Sequence, residues 1–204
     1  MYTKSQTTIN NILEAARSLF LEKNYADVTI NDIVALANVS KGALYHHFSG
    51  KEDLYTKMMH HYLSKIQEVV QDSVETATGA TRERIRYSIY AFLLLPPEML
   101  GVLRLVRRDI NIFKDPVRHD LVRAYQKAVP EHVEKLIRAG VERGDLQDID
   151  PRLLSWQLVA LVEVALRPYS TQVLGNLDDT VDFLIGLFLD GIAVRERAGD
   201  TTRS

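Results

Sequence analysis

Apolar residues recur at three- and four-residue spacing along nearly the whole chain, and the strict alternation that a half-buried strand needs is almost absent. The pattern predicts an all-α protein. Ile9, Ile12, Leu13, Ala16, Leu19 and Phe20 share one face of a first helix. Thr29 can cap a short second helix, where Asp32 places a negative charge on the free amides and Ile33, Leu36 and Ala37 turn inward. Asn38-Val39-Ser40 reads as a tight turn: Asn tolerates left-handed backbone, Val39 plugs the corner, and Ser40 caps a third helix whose Leu44 and Phe48 share a face. Lys51 to about Ser73 follows as one longer helix with Leu54, Met58, Met59, Tyr62, Ile66 and Val69 inward.

Gly79 marks a polar break, after which helices are expected at 85–95, stopped by Pro96-Pro97, and at 98–113. Pro130 should divide the next helical stretch, and Asp150-Pro151 is a cap with proline in the first turn, opening a helix to about Tyr169. A last helix is expected from near Asp178 to about Arg197, before a frayed tail at 199–204.

Residues 29–48 have the layout of a helix-turn-helix, whose second helix can enter a major groove. With Leu44 and Phe48 inward, about 100° per residue turns Gly42 and His46 outward, flanked by Ala43 and Tyr45. The small Gly-Ala pair permits close approach, His46 can reach a base edge, and Tyr45, Lys41 and Lys51 can serve phosphates. The run Thr29, Ile33, Val39 to Phe48 and Lys51-Glu52-Asp53-Leu54, with the first helix and Tyr25, resembles the DNA-binding region of the TetR family of transcriptional regulators. Asn24 and Asn38 stand where that family usually has glycine; both are expected to be left-handed, where Asn is the next-best residue.

The resemblance implies a helix-turn-helix domain over 1–50, a connecting helix over 51–75 and a helical regulatory and dimerisation domain over 76–204. DNA contacts are expected from Thr29, Ser40, Lys41, Gly42, Ala43, Tyr45, His46, His47 and Lys51. The family dimerises through its last two long helices and binds small effectors in its regulatory domain. The implied function is a repressor released from a palindromic operator by a small molecule. The alternative is a helical small-molecule-binding or scaffold protein without a working DNA-binding role.

Leu153 to Leu166 is apolar nearly all round, as a helix must be if it faces both its own core and a partner. Leu158, Val162, Val181, Leu184, Ile185, Phe188 and Ile192 are the expected interface of a four-helix bundle between two copies. For the effector, Phe92, Met99, Leu103, Tyr125, Trp156 and Leu158 offer apolar lining, while Arg104, Arg107 and Glu163 can fix polar groups.

Composition narrows this further. A net charge of −2 makes overall basicity no argument for nucleic acid, and in the first fifty residues Lys4, Arg17, Lys23 and Lys41 are matched by Glu14, Glu22, Asp27 and Asp32. The argument is local: between Asp32 and Glu52 there is no acid, while Lys41 and Lys51 are basic. The absence of cysteine removes disulfides, thiol nucleophiles and thiolate metal sites, and fits a reducing cytoplasm. The polar N-terminus carries no signal-peptide pattern, and no apolar run reaches the length of a membrane span. His46-His47 and His60-His61 point about 100° apart on a helix and cannot chelate one ion. No cofactor, metal or enzymatic chemistry is expected.

Overall fold

Thr29 begins the second helix as the sequence requires. Its hydroxyl accepts from the Asp32 amide, and the Asp32 carboxylate accepts from both the Thr29 amide (2.9 Å) and the Thr29 hydroxyl (2.7 Å). Those two bonds from Thr29 hold the Asp32 carboxyl below its ordinary range. The structure, a computed structural model, describes residues 4–192 and the side chains of 5–190.

Within it α1 (Lys4–Glu22), α2 (Ile30–Ala37), α3 (Lys41–His47) and α4 (Lys51–Thr76) are followed by α5 (Thr81–Leu93) and α6 (Pro97–Asp109). Then come α7 (Val117–Ala128), α8 (Pro130–Glu142), α9 (Pro151–Ala165), α10 (Pro168–Leu174) and α11 (Leu177–Ile192). Short 3-10 turns cover Tyr25–Asp27 and Ile110–Ile112, and no strand occurs among the described residues. Asp150 caps α9 by accepting from the Leu153 amide at 2.7 Å, with Pro151 in the first turn as expected. That helix ends at Ala165 rather than near Tyr169, because Pro168 opens α10, an element the periodicity does not announce. The expected end of the last helix near Arg197 and the tail at 199–204 lie outside the described residues.

These helices pack as two units that interleave along the chain: residues 4–68 with 95–128, and residues 69–94 with 129–192. The head-connector-body division expected from sequence has no such interleaving. The reason is a buried network that ties α6 to α1 and α4. Asp109, at the end of α6, is 1% exposed and accepts from the Tyr55 hydroxyl at 3.0 Å. Arg108 donates to the same carboxylate through Nε (2.7 Å) and Nη2 (2.8 Å), and Nη2 also reaches the Phe20 carbonyl at 2.8 Å. That carbonyl lies in the last turn of α1, where a cation is favoured by the helix dipole. Burial, then the Asp109 charge, pushes the Tyr55 hydroxyl above the usual tyrosine range, so it remains a donor at any physiological pH. Around it Phe20, Tyr25, Tyr55 and Phe113 pack ring to ring, with centroids 4.9 to 5.7 Å apart.

In the second unit α8 and α9 pack along one another, and α5 packs on α8 and α11. Gly140 permits the close approach of α8 to α5: a Cβ there would lie 2.8 Å from Thr81 Cγ2 and 2.9 Å from Leu146 Cδ1. Arg86 of α5 pairs with Asp178 and Asp182 of α11, and Arg82 with Asp190, along the exposed edge of that contact.

Three local expectations are corrected. Asn38 is left-handed (φ 53°), but Asn24 is extended (φ −66°, ψ 155°) and leads into the 3-10 turn, so it needs no glycine-like freedom. Leu36 is 54% exposed, although the period places it inward; in this helix of eight residues only Ile33 and Ala37 are buried. Val39 is half-buried rather than a full plug.

Candidate nucleic-acid interface and the second-unit cavity

The α3 helix is short because both ends are set by side chains and turns. Ser40 Oγ accepts from the Ala43 amide at 3.1 Å at its start, and Phe48 leaves helical geometry at its end. The buried Leu44 and Phe48 hold its inner face to the unit. Lys41, Gly42, Tyr45 and His46 form the exposed face, while Ala43 and His47 are half-buried. His47 stacks edge-on to His46 at 4.7 Å between ring centroids, and its carbonyl accepts from Lys57. A Cβ added at Gly42 would meet only Ser40 Oγ at 3.8 Å, ordinary contact, and its backbone is helical. Nothing inside the fold therefore calls for glycine at that position.

Lys51 departs from the expectation that it serves a phosphate. Its ammonium donates to the carbonyls of Tyr25 (2.8 Å), Val28 (2.9 Å) and Ala26 (3.4 Å), and lies 4.4 Å from the centre of the Tyr25 ring. It fastens the start of α4 to the segment between α1 and α2. Spacing along the chain could not show this, since the partners lie 23 to 26 residues away. Thr29 and Ser40 are exposed but occupied as caps.

The residues expected at the dimer interface are placed differently. Leu158, Val162, Val181, Leu184, Ile185 and Phe188 are all buried and form the core of the second unit; the side chain of Ile192 lies outside those described. The apolar face that α9 turns outward consists of the exposed Leu153, Trp156 and Val164, with exposed Ala160 between them. On α11 it consists of Phe183 and Leu187. On both helices the residues expected at the interface are the inward row. The all-round apolar character of α9 is the signal that a second row exists.

The residues expected around an effector are not gathered in one place. Met99, Leu103, Arg104, Arg107 and Tyr125 belong to the first unit, Leu103 buried in it and Arg104 and Arg107 exposed. Trp156 is on the outer face of α9, and Glu163 is half-buried on the same helix. Of these residues Phe92 and Leu158 line the cavity of the second unit, which is about 40 Å³. Its other walls include Val70 of α4, Ile85, Ser88 and Ile89 of α5, Leu136 of α8, and Val162 of α9. Among the described residues no group of acidic or histidine side chains is arranged to hold a metal ion, and no single helix is long and apolar enough to cross a membrane.

A capped helix-turn-helix that exposes Gly42 among Lys41, Tyr45 and His46, carried on an all-helical scaffold, has the form of a DNA-binding regulator. Residues 12–58 match the family model described as bacterial regulatory proteins, tetR family. The repressor DhaR of Mycobacterium sp. (strain GP1) is 26% identical over 151 residues, covering 74% of this chain and 76% of its own. The regulator UidR of Escherichia coli (strain K12) is 28% identical over 172 residues, covering 79% and 81%. The fold is that of PfmR, a TetR-family regulator from Thermus thermophilus, with a TM-score of 0.72, 22% identity, and coverage of 88% of this chain and 97% of PfmR. Residues 12–58 thus carry the DNA-binding region of the tetR family of bacterial regulatory proteins.

Proposed function

We propose that the protein is a homodimeric repressor that reads a palindromic operator with α3 and leaves it when a small molecule binds the second unit. The observation that carries the DNA-reading part is Gly42: an exposed helical position where the fold tolerates a side chain, on a face otherwise made of Lys41, Tyr45 and His46. Close approach to a groove accounts for its small size. Lys41 and Tyr45 would serve phosphates, His46 a base edge, and Ala43 a thymine methyl. In this reading Lys51 acts by positioning, through the carbonyls it holds.

Two substitutions test this. Gly42→Leu should fold normally, since nothing lies within contact beyond Ser40 Oγ, and should weaken operator binding at least about tenfold, a 1.4 kcal/mol effect. Wild-type affinity in a gel-shift titration, using duplex from upstream of the protein's own gene, would rule out α3 as the reading helix. Lys51→Met should lower operator affinity while leaving the slope of log affinity against log salt unchanged. Loss of a phosphate contact would instead flatten that slope by about one unit.

Two copies would join through the outward apolar faces of α9 and α11, bringing two recognition helices to successive major grooves about 34–36 Å apart. An effector must favour the DNA-incompetent conformation, by about 1.4 kcal/mol for each tenfold loss of operator affinity. The cavity of the second unit is the place proposed for it, because one wall is Val70, on the helix that begins with Lys51.

A further inference from the structure

We propose that the cavity of the second unit selects an uncharged aliphatic molecule with at most one hydroxyl-like group, and rejects carboxylates and ammonium ions. This rests on the effector reading above and names the effector's chemical class. The walls are side chains such as Val70, Ile85, Phe92, Leu136 and Val162, and no ionisable side chain lines them. An ionised ligand group would enter without a partner, which costs far more than its methylenes return. Ser88 is the one polar side chain in the lining. Its hydroxyl donates to the Ser73 carbonyl over a long 3.5 Å, and its oxygen can still accept from a ligand hydroxyl.

The size of the cavity adds a second constraint. At about 40 Å³ it has roughly three times the room one water needs, enough for the end of a chain and not for a whole medium-length one. A longer ligand must part the walls, Val70 among them. Such a ligand binds the parted conformation more tightly than the closed one, which is what an effector requires.

The test uses the full chain and two matched series: the straight 1-alkanols from butanol to decanol, and the carboxylates of the same lengths, at sub-millimolar concentration. Without DNA, the alcohols should raise the melting temperature, with affinity growing about fourfold per methylene. The matching carboxylates should bind at least about a hundredfold more weakly. Val159→Phe, which fills the cavity from α9, should weaken the alcohols at least about tenfold. Ser88→Ala should weaken the alcohols and leave n-hexane binding as it was; if Val159→Phe does not fold, this comparison decides the site. Carboxylates matching the alcohols, absence of stabilisation by any alcohol, or binding that survives both substitutions would overturn the proposal. The same alcohols are then added to the operator complex. Binding as described with operator affinity unchanged would uphold the ligand class and remove the effector-release reading.

Discussion

Phe183→Glu should convert the native protein to a folded monomer, whereas Leu184→Glu, one residue further on, should unfold the second unit. The two positions differ in direction only. Phe183 is 51% exposed on the outward face of α11, and Leu184 is 2% exposed in the core. A glutamate at 183 remains solvated in the isolated subunit and meets an apolar partner face only in the dimer. A glutamate at 184 is buried without a partner in every state, at a cost of several kcal/mol. Sedimentation should show the monomeric mass for Phe183→Glu with its helical circular dichroism retained, and operator affinity down at least about a hundredfold, because two half-sites are no longer linked. A dimer of unchanged stability in the Phe183→Glu, Trp156→Glu double variant would remove the α9 and α11 face from consideration.

The second large effect concerns Asp109. Replacing it by Ala leaves the buried Tyr55 hydroxyl without its acceptor and the Arg108 guanidinium without its carboxylate. The expected loss is about 3 kcal/mol, or about 6–12 °C in melting temperature for a chain of this size. Tyr55→Phe removes donor and bond together while keeping the ring among Phe20, Tyr25 and Phe113, so it should cost only about 1 kcal/mol. Calorimetry on the two variants measures the difference. Equal melting temperatures would mean that the carboxylate does not hold the unit together.

What the sequence made legible was what is decided within a few residues. The Thr29 and Ser40 caps, the left-handed Asn38, the inward Leu44 and Phe48 and the proline-set start of α9 all follow from local chemistry, and all are present. What it concealed depends on partners distant in the chain. Lys51 looks like a free cation until the carbonyls of Tyr25 and Val28 are brought to it. Leu184 and Phe183 are both apolar, and only the packing of α5 and α9 on α11 decides which row is left uncovered. The cavity is assembled from four helices plus the residue before α8, so single aromatic and arginine residues do not announce it, and of the residues expected around an effector it holds Phe92 and Leu158.

The interleaving of the first unit bears on how far the DNA-reading portion can be treated as a transferable cassette. A fragment ending after α4 would leave Tyr55 without Asp109, the α1 carbonyl at Phe20 without Arg108, and one side of the aromatic cluster bare where Phe113 belongs. The nascent chain meets the same difficulty, since these contacts close only after Phe113 has been made, and some of its earliest helices must wait for sequence-distant partners. Exchange of operator specificity between relatives is therefore best done by grafting the exposed face of α3, or by moving residues 4–68 together with 95–128.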